Sequence, residues 1–324
     1  MLRKKFYLSI LVCLSLLFTS TAVYCDESVN TKLLEGNSSI YENHYNIDCK
    51  DLNFSINKND VLEINVDVEL KNATSINDKN LLKQKQAEIE KIKSDEKYIN
   101  DLKKMVKKGN NPAQIAVAEA IFLRVTDING TVIEERPMTN AEVLQYGEDD
   151  FGILSTTDTG TTYSREQLRL YSTLIRDFSE FWVQANSYWT SSMPSSGDDF
   201  ISVLWNKDFL YNGIDSFSGE HFGDFQVSGG LCELEETGGA AWSFRDTIYI
   251  DSSIGTEGVF AGVQLQKQVQ PNSTYTFKSV YTRTFSALSF SANITASPTG
   301  LTGTLVVSPL ASQWVLVAPL TGYY

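Results

Sequence analysis

From residue 164 to its end the chain is a succession of short runs rich in β-branched and aromatic residues. "DDFISVLWNKDF", "FGDFQVSG", "DTIYIDSS", "GVFAGVQLQKQV", "STYTFKSVYTRTF", "ALSFSANITAS", "TGTLVVSP" and "QWVLVAPL" each read as a strand. Clusters of Gly, Pro, Asn or Ser separate them, so that a new strand begins about every 10 to 15 residues. Many short strands with turns between them predict an all-β C-terminal domain over 164–324, built as an antiparallel sandwich. The segment "REQLRLYSTLIRDFSEFWVQANSYWTSS" opens this region. Its Leu168, Tyr171, Leu174, Phe178 and Phe181 have helical spacing. Its second half instead alternates, with Trp182, Gln184, Asn186 and Tyr188 opposite Val183, Ala185, Ser187 and Trp189. The β-branched and aromatic content favours a hairpin turning near Asp177–Ser179.

Residues 48–147 have a different texture. "DVLEINVDVEL" places Leu62, Ile64, Val66, Val68 and Leu70 on one face of a strand, and "CKDLNFSINKND" before it makes a hairpin partner. Lys, Glu and Asp then dominate, without Pro or Gly, while Leu82, Ile89, Ile92, Ile99, Leu102 and Val106 form a narrow apolar stripe. This predicts one long helix over about 78–108, with Asp78 as N-cap and Gly109 and Pro112 as its stop. The stripe is a weak coiled-coil signal, and packing on the adjacent sheet is the expected arrangement. Asn129-Gly130 marks a second hairpin, and "TNAEVLQYG" a short helix capped by Thr139. The expectation is a small α+β N-terminal domain over 48–147. An acidic, then Ser/Thr/Gly-rich linker over 148–163 joins it to the sandwich, and a flexible lead-in over 26–47 precedes it.

The first 25 residues carry the address. Arg3, Lys4 and Lys5 precede an apolar run from Phe6 to Phe18, followed by small residues. That run suits a signal peptide and is too short for an ordinary membrane span. Small residues favour cleavage after Ala22 or after Cys25. Tyr24 stands where a lipoprotein signal needs a small residue, which argues against a lipid anchor on Cys25. The expected location is extracellular, with no stable membrane insertion after cleavage. The residue usage suggests a Gram-positive bacterium.

Net charge narrows the partners. The chain carries −13, and loss of the leader removes three positive charges and no negative ones. Phosphate recognition needs a Lys/Arg surplus, so nucleic acid is not an expected partner. An extracellular glycan or protein is.

Catalytic and metal motifs are sparse. Of two histidines, His221 has Glu220 and Asp224 beside it, whereas a metal needs three or four converging ligands. A Gly-x-Ser-x-Gly elbow, a phosphate loop and a dinucleotide fingerprint are missing. No catalytic residue and no metal site is assigned. No cofactor is expected beyond calcium at the oxygen-rich turns "DINGT" and "GDDF", neither of which completes a calcium loop. All five tryptophans fall after residue 181, and Trp189, Trp205 and Trp242 are the candidate ligand-stacking residues. Cys49 and Cys232 remain in the body of the chain and could pair as a disulfide in an oxidising exterior. The expected function is a non-catalytic extracellular binding or adhesion protein. The alternatives are a glycan-directed hydrolase using two of the clustered carboxylates, or a β-pore-forming toxin using the Ser/Thr-alternating stretch from Ser273.

Overall fold

The computed structural model of the chain describes residues 41–72, 75–94, 96–127, 129, 131–139, 142, 153–154, 163–177, 180–189, 198–221, 225–245, 256–267, 274–284, 291–295, 303–308 and 313–323. The expected signal peptide over 1–25, most of the expected lead-in and linker, most of the short helix expected after Thr139, and the strand expected at "DTIYIDSS" lie outside them. The described elements run β1 (Tyr41–Asp48), β2 (Leu52–Ile56), β3 (Leu62–Val66), α1 (Val68–Lys71), α2 (Ile76–Ser94), α3 (Glu96–Lys107), β4 (Gln114–Asp127), β5 (Val132–Pro137) and β6 (Ile153–Leu154). They continue as β7 (Tyr163–Arg176), β8 (Glu180–Trp189), β9 (Asp198–Trp205), β10 (Phe209–His221), β11 (Phe225–Gln226), β12 (Gly229–Glu235) and β13 (Gly239–Arg245). The last are β14 (Thr256–Lys267), β15 (Thr274–Thr284), β16 (Ser291–Thr295), β17 (Thr304–Ser308) and β18 (Gln313–Tyr323).

Antiparallel sheet dominates. A large sheet has the order β1-β4-β7-β8-β14-β10-β11, with β5 on β4 and β6 on β7. A smaller one has the order β12-β13-β9-β15-β18. The two share one apolar core, an arrangement that fits a β-sandwich. Alternate residues supply it: Phe181, Val183 and Ala185 from β8, Val259, Ala261 and Val263 from β14, Ile201, Val203 and Trp205 from β9. Phe209 locks the centre, with its ring 5.0 Å from Phe181 and 4.9 Å from Phe277. The β7–β8 hairpin turns where the alternation predicts. Asp177 Oδ1 accepts the Glu180 N–H at 2.7 Å, and the Asp177 N–H bonds the Glu180 carbonyl at 3.1 Å.

The elements between β1 and β4 form a cover on the outer face of the large sheet. β2 and β3 pair as expected, α3 packs on β2, and α2 on β3. Ile89, Ile92, Leu102 and Met105 from the helices join Phe54, Ile64 and Val66 of the hairpin against Ile115, Val117 and Ile175 of the sheet. β4 is thereby buried on both faces. This explains why "QIAVAEAIFLRV" is nearly continuous in apolar residues rather than alternating.

Several expectations are corrected. β4 pairs with β7 over 14 residues, so the sheet runs through the boundary expected at 148–163. The described residues belong to one compact unit, Gly36–Tyr324, and the elements of 48–147 do not form a separate α+β domain. Part of the expected lead-in is strand β1, which pairs with β4. The strand from Leu62 ends at Val66 instead of continuing to Leu70. The Asp67 N–H makes the last bond to the hairpin, and its carbonyl then accepts the Lys71 N–H in a helical turn. The single long helix is two, broken between Ser94 and Glu96, and both pack on strands rather than on a coiled-coil partner. Its cap is Ser75, whose Oγ accepts the Asp78 N–H at 3.1 Å and donates to the Asp78 carboxylate at 2.5 Å. The stop is as expected. Gly109, at φ 85°, bonds the Val106 carbonyl while the Asn110 N–H reaches Met105.

Candidate binding site

Trp189, Trp205 and Trp242 all lie in the core between the sheets. Trp205 and Trp242 are fully buried, because their strand positions point inward and the opposite sheet covers them. A ring with no solvent-facing surface cannot stack on an arriving ligand, so the stacking role expected for these three is corrected to core packing. Trp205 Nε1 donates to the Glu236 carbonyl at 3.3 Å, and Trp189 Nε1 to the Tyr281 hydroxyl at 3.4 Å. The expected Cys49–Cys232 disulfide is not formed, and both thiols are free. Cys49 is buried beneath the helical cover of the large sheet, and burial pushes its pKa up to about 12. Cys232 is the extra residue of a bulge on β12, an edge strand of the small sheet. The turn "DINGT" spends its carboxylate on itself: Asp127 Oδ1 accepts the N–H groups of Asn129 and Thr131 at 2.9 and 2.8 Å. Among the described residues no three His, Cys, Asp or Glu side chains converge to hold a metal ion. The Glu220 and His221 backbones end β10, while their side chains and Asp224 lie outside the described residues.

The adjacent acids Asp198 and Asp199 point to opposite faces of β9, as strand alternation requires. Asp199 enters the core, where Oδ2 accepts from the Tyr281 hydroxyl at 2.8 Å and Oδ1 from the Thr284 N–H at 3.0 Å. Arg283, also buried, lies 5.0 Å from the centre of the Trp189 ring. Asp198 faces outward. With Gly230, Ser243 and Arg245 it lines an open depression of about 350 Å³. Its only ion pair there, to Arg245 at 3.8 Å, is long and exposed.

The richer surface is the outer face of the large sheet at the margin of the helical cover. The cluster under that cover includes Tyr171 and is flanked by Trp182 and Tyr188 of β8, with Lys108 Nζ 5.6 Å from the Trp182 ring centre. Register then builds a strip across strands far apart in sequence. Tyr171 of β7, Asn186 of β8 and Phe260 of β14 are direct neighbours on one face. So are Thr173, Gln184 and Gly262, with Ser216 of β10 beyond them. Tyr188 stands edge-on to both Tyr171, at 6.0 Å, and Phe260, at 5.2 Å. Asn186 is therefore flanked by three rings. It is 1% exposed, and neither its Nδ2 nor its Oδ1 has a hydrogen-bond partner. Gln264, in the Trp182 row two rows from Asn186 and 3% exposed, also leaves its Oε1 unpaired. Two glycines keep this floor low. A Cβ on Gly258 would meet the Tyr188 ring at 3.2 Å, and one on Gly262 would meet Gln184 Cγ at 2.9 Å.

Besides Lys108 at the Trp182 row, charge lies at the β4 end of the strip. Glu119, 2% exposed, accepts from Arg169 Nη1 at 3.4 Å. Burial first, and then the Glu119 carboxylate, hold the Tyr171 phenol well above its ordinary pKa, so it stays neutral. The strip was missed by searching for acid pairs, histidines and tryptophans. Its signal was the face of β8 that carries Trp182, Gln184, Asn186 and Tyr188, repeated in Phe260, Gly262 and Gln264 of β14.

No protein-family model matches the chain, and no curated protein matches it. Among solved structures, the N-terminal domain of the Streptococcus gordonii adhesin Sgo0707 aligns with 65% of this chain and 68% of that chain. The identity is 8% and the TM-score 0.11, a level that carries no argument about fold or function. Among the described residues no helix is long and apolar enough to cross a membrane.

Proposed function

We propose that the chain is a secreted binding protein, exported by residues 1–25 as a signal peptide. It holds an extracellular ligand without transforming it, through the strip of Tyr171, Asn186, Tyr188 and Phe260. The observation that carries this reading is the Asn186 amide, buried with both polar atoms unpaired among aromatic rings. A buried amide without partners costs on the order of 1–3 kcal/mol, and each one in a folded protein calls for an explanation. A ligand that completes its hydrogen bonds is such an explanation. The lowered floor at Gly258 and Gly262 and the rings around it supply shape and apolar contact for that ligand.

The proposal has two separate tests. N-terminal sequencing of protein recovered from the culture medium is expected to begin at Val23 or Asp26; protein retained with an intact Met1 end contradicts export. Purified full-length protein is then screened against immobilised glycans and extracellular matrix proteins. Saturable binding that falls with Tyr188→Ala is expected, and binding indifferent to that change removes the strip from the reading.

A further inference from the structure

We infer that the strip takes an uncharged saccharide and that Asn186 is its polar anchor. This deepens the reading of the strip as a ligand-contacting surface and rests on it. The argument begins with the shape of an amide. Asn186 offers a donor, Nδ2–H, beside an acceptor, Oδ1, in one plane. The group that satisfies both at once has an acceptor beside a donor, as two neighbouring sugar hydroxyls or an acetamido substituent do. The Gln264 oxygen adds a second acceptor on the same face. The row through Asn186 has a ring on either side, Tyr171 and Phe260. Aromatic rings supply the flat apolar contact that the C–H face of a pyranose needs.

Charge complementarity then limits the class. From β7 to β10 the rows through Asn186 and Gln184 carry Tyr171, Thr173, Phe260, Gly262, Ser216 and Ser218, none of them ionic. The ion pair beside these rows, Glu119–Arg169, is matched internally and leaves no net charge for an acidic sugar. A phosphorylated, sulfated or sialylated ligand would lose its hydration in these two rows with no cation in them to compensate, since Arg169 beside Tyr188 is matched by Glu119. Access runs past Tyr188 and Phe260, which are half-buried, whereas Tyr171 is buried.

Stability and binding are predicted to move in opposite directions, which separates an anchor from a structural amide. Asn186→Leu keeps the branching and number of side-chain heavy atoms and removes two unpaired polar atoms. It is expected to raise the thermal midpoint by about 2–6 °C. The same change is expected to weaken binding by at least tenfold. The probes are uncharged oligosaccharides (glucans, mannans, galactans and N-acetylglucosamine oligomers), sialylated and sulfated oligosaccharides, and extracellular matrix proteins, all applied to the full-length chain. Binding confined to the uncharged set and lost in Asn186→Leu supports the inference. Asn186-dependent binding of an acidic glycan or of a protein overturns the saccharide class but leaves the strip as the binding surface. Binding unchanged in both Asn186→Leu and Tyr188→Ala overturns the strip itself. A thermal midpoint lowered by Asn186→Leu shows that the amide, with an ordered water, holds the fold, and overturns its role as an anchor.

Discussion

Tyr281→Phe removes one oxygen from the middle of the core and leaves the ring in place. That oxygen donates to Asp199 Oδ2 at 2.8 Å and accepts from Trp189 Nε1 at 3.4 Å. Asp199 is fully buried, so water cannot replace the lost donor. A hydrogen bond to a buried carboxylate contributes about 1.5–3 kcal/mol, and a long neutral one about 0.5–1 kcal/mol. The ring contacts to Phe244 and Trp189, at 5.9 and 6.4 Å, survive the change. The expected loss is therefore about 2–4 kcal/mol, with little from cavity formation. Urea unfolding of the full-length protein, followed by tryptophan fluorescence and far-ultraviolet circular dichroism, measures it. The two signals need to coincide for the free energy to have meaning. A double-mutant cycle with Asp199→Asn isolates the pair, and a coupling of about 1–3 kcal/mol is expected. A loss under about 0.5 kcal/mol, or a coupling near zero, would refute the hydrogen-bond reasoning and leave Tyr281 as packing alone.

Further consequences follow from named contacts. A maleimide is expected to label Cys232 but not Cys49 in the native chain, and both in denaturant without reductant; labelling of neither in denaturant would restore the disulfide. Glu142 is held at about 2, below its ordinary 4.5, chiefly by the hydrogen bond from Arg136. Its stabilising contribution is complete above pH 4.5 and disappears as pH falls toward 2. Glu142→Gln should flatten the acid side of the stability profile between those limits, and an unchanged profile would contradict the pairing. Gly262→Ala puts a methyl group 2.9 Å from Gln184 Cγ and 3.2 Å from Ser216 Oγ, both on movable side chains. It is expected to reduce ligand binding several-fold while lowering stability by no more than about 1 kcal/mol, read by calorimetry and thermal melts.

Local structure was legible wherever one strand or one turn carried the signal. The alternation of "FWVQANSYW", the turn at Asp177, the β2–β3 hairpin and the Gly109 stop are all properties of a few adjacent residues. What failed depended on distant partners. Nothing in "QIAVAEAIFLRV" says that β7 will pair with it on one side while helices cover its outer face. That double cover turned an expected domain boundary into continuous sheet. Trp242 reads the same from sequence whether its ring faces solvent or the opposite sheet, and only the sheet pairing decided for the core. The strip was hidden for the same reason. Residues 171, 186 and 260 become neighbours through β14 inserting between β8 and β10, an order that local periodicity does not encode.

Hydroxyl-radical footprinting of the full-length protein, free and bound to the glycan or protein retained in the binding screen, addresses the location of the ligand directly. Tyr188 and Phe260 are half-buried and open to oxidation in the free chain, whereas Trp205 and Trp242 are sealed in the core in both states. Binding at the strip predicts that oxidation of Tyr188 and Phe260 falls sharply on ligand addition. Unchanged oxidation of both rings, with protection appearing instead at Leu231 and Arg245 beside the open depression, would contradict it.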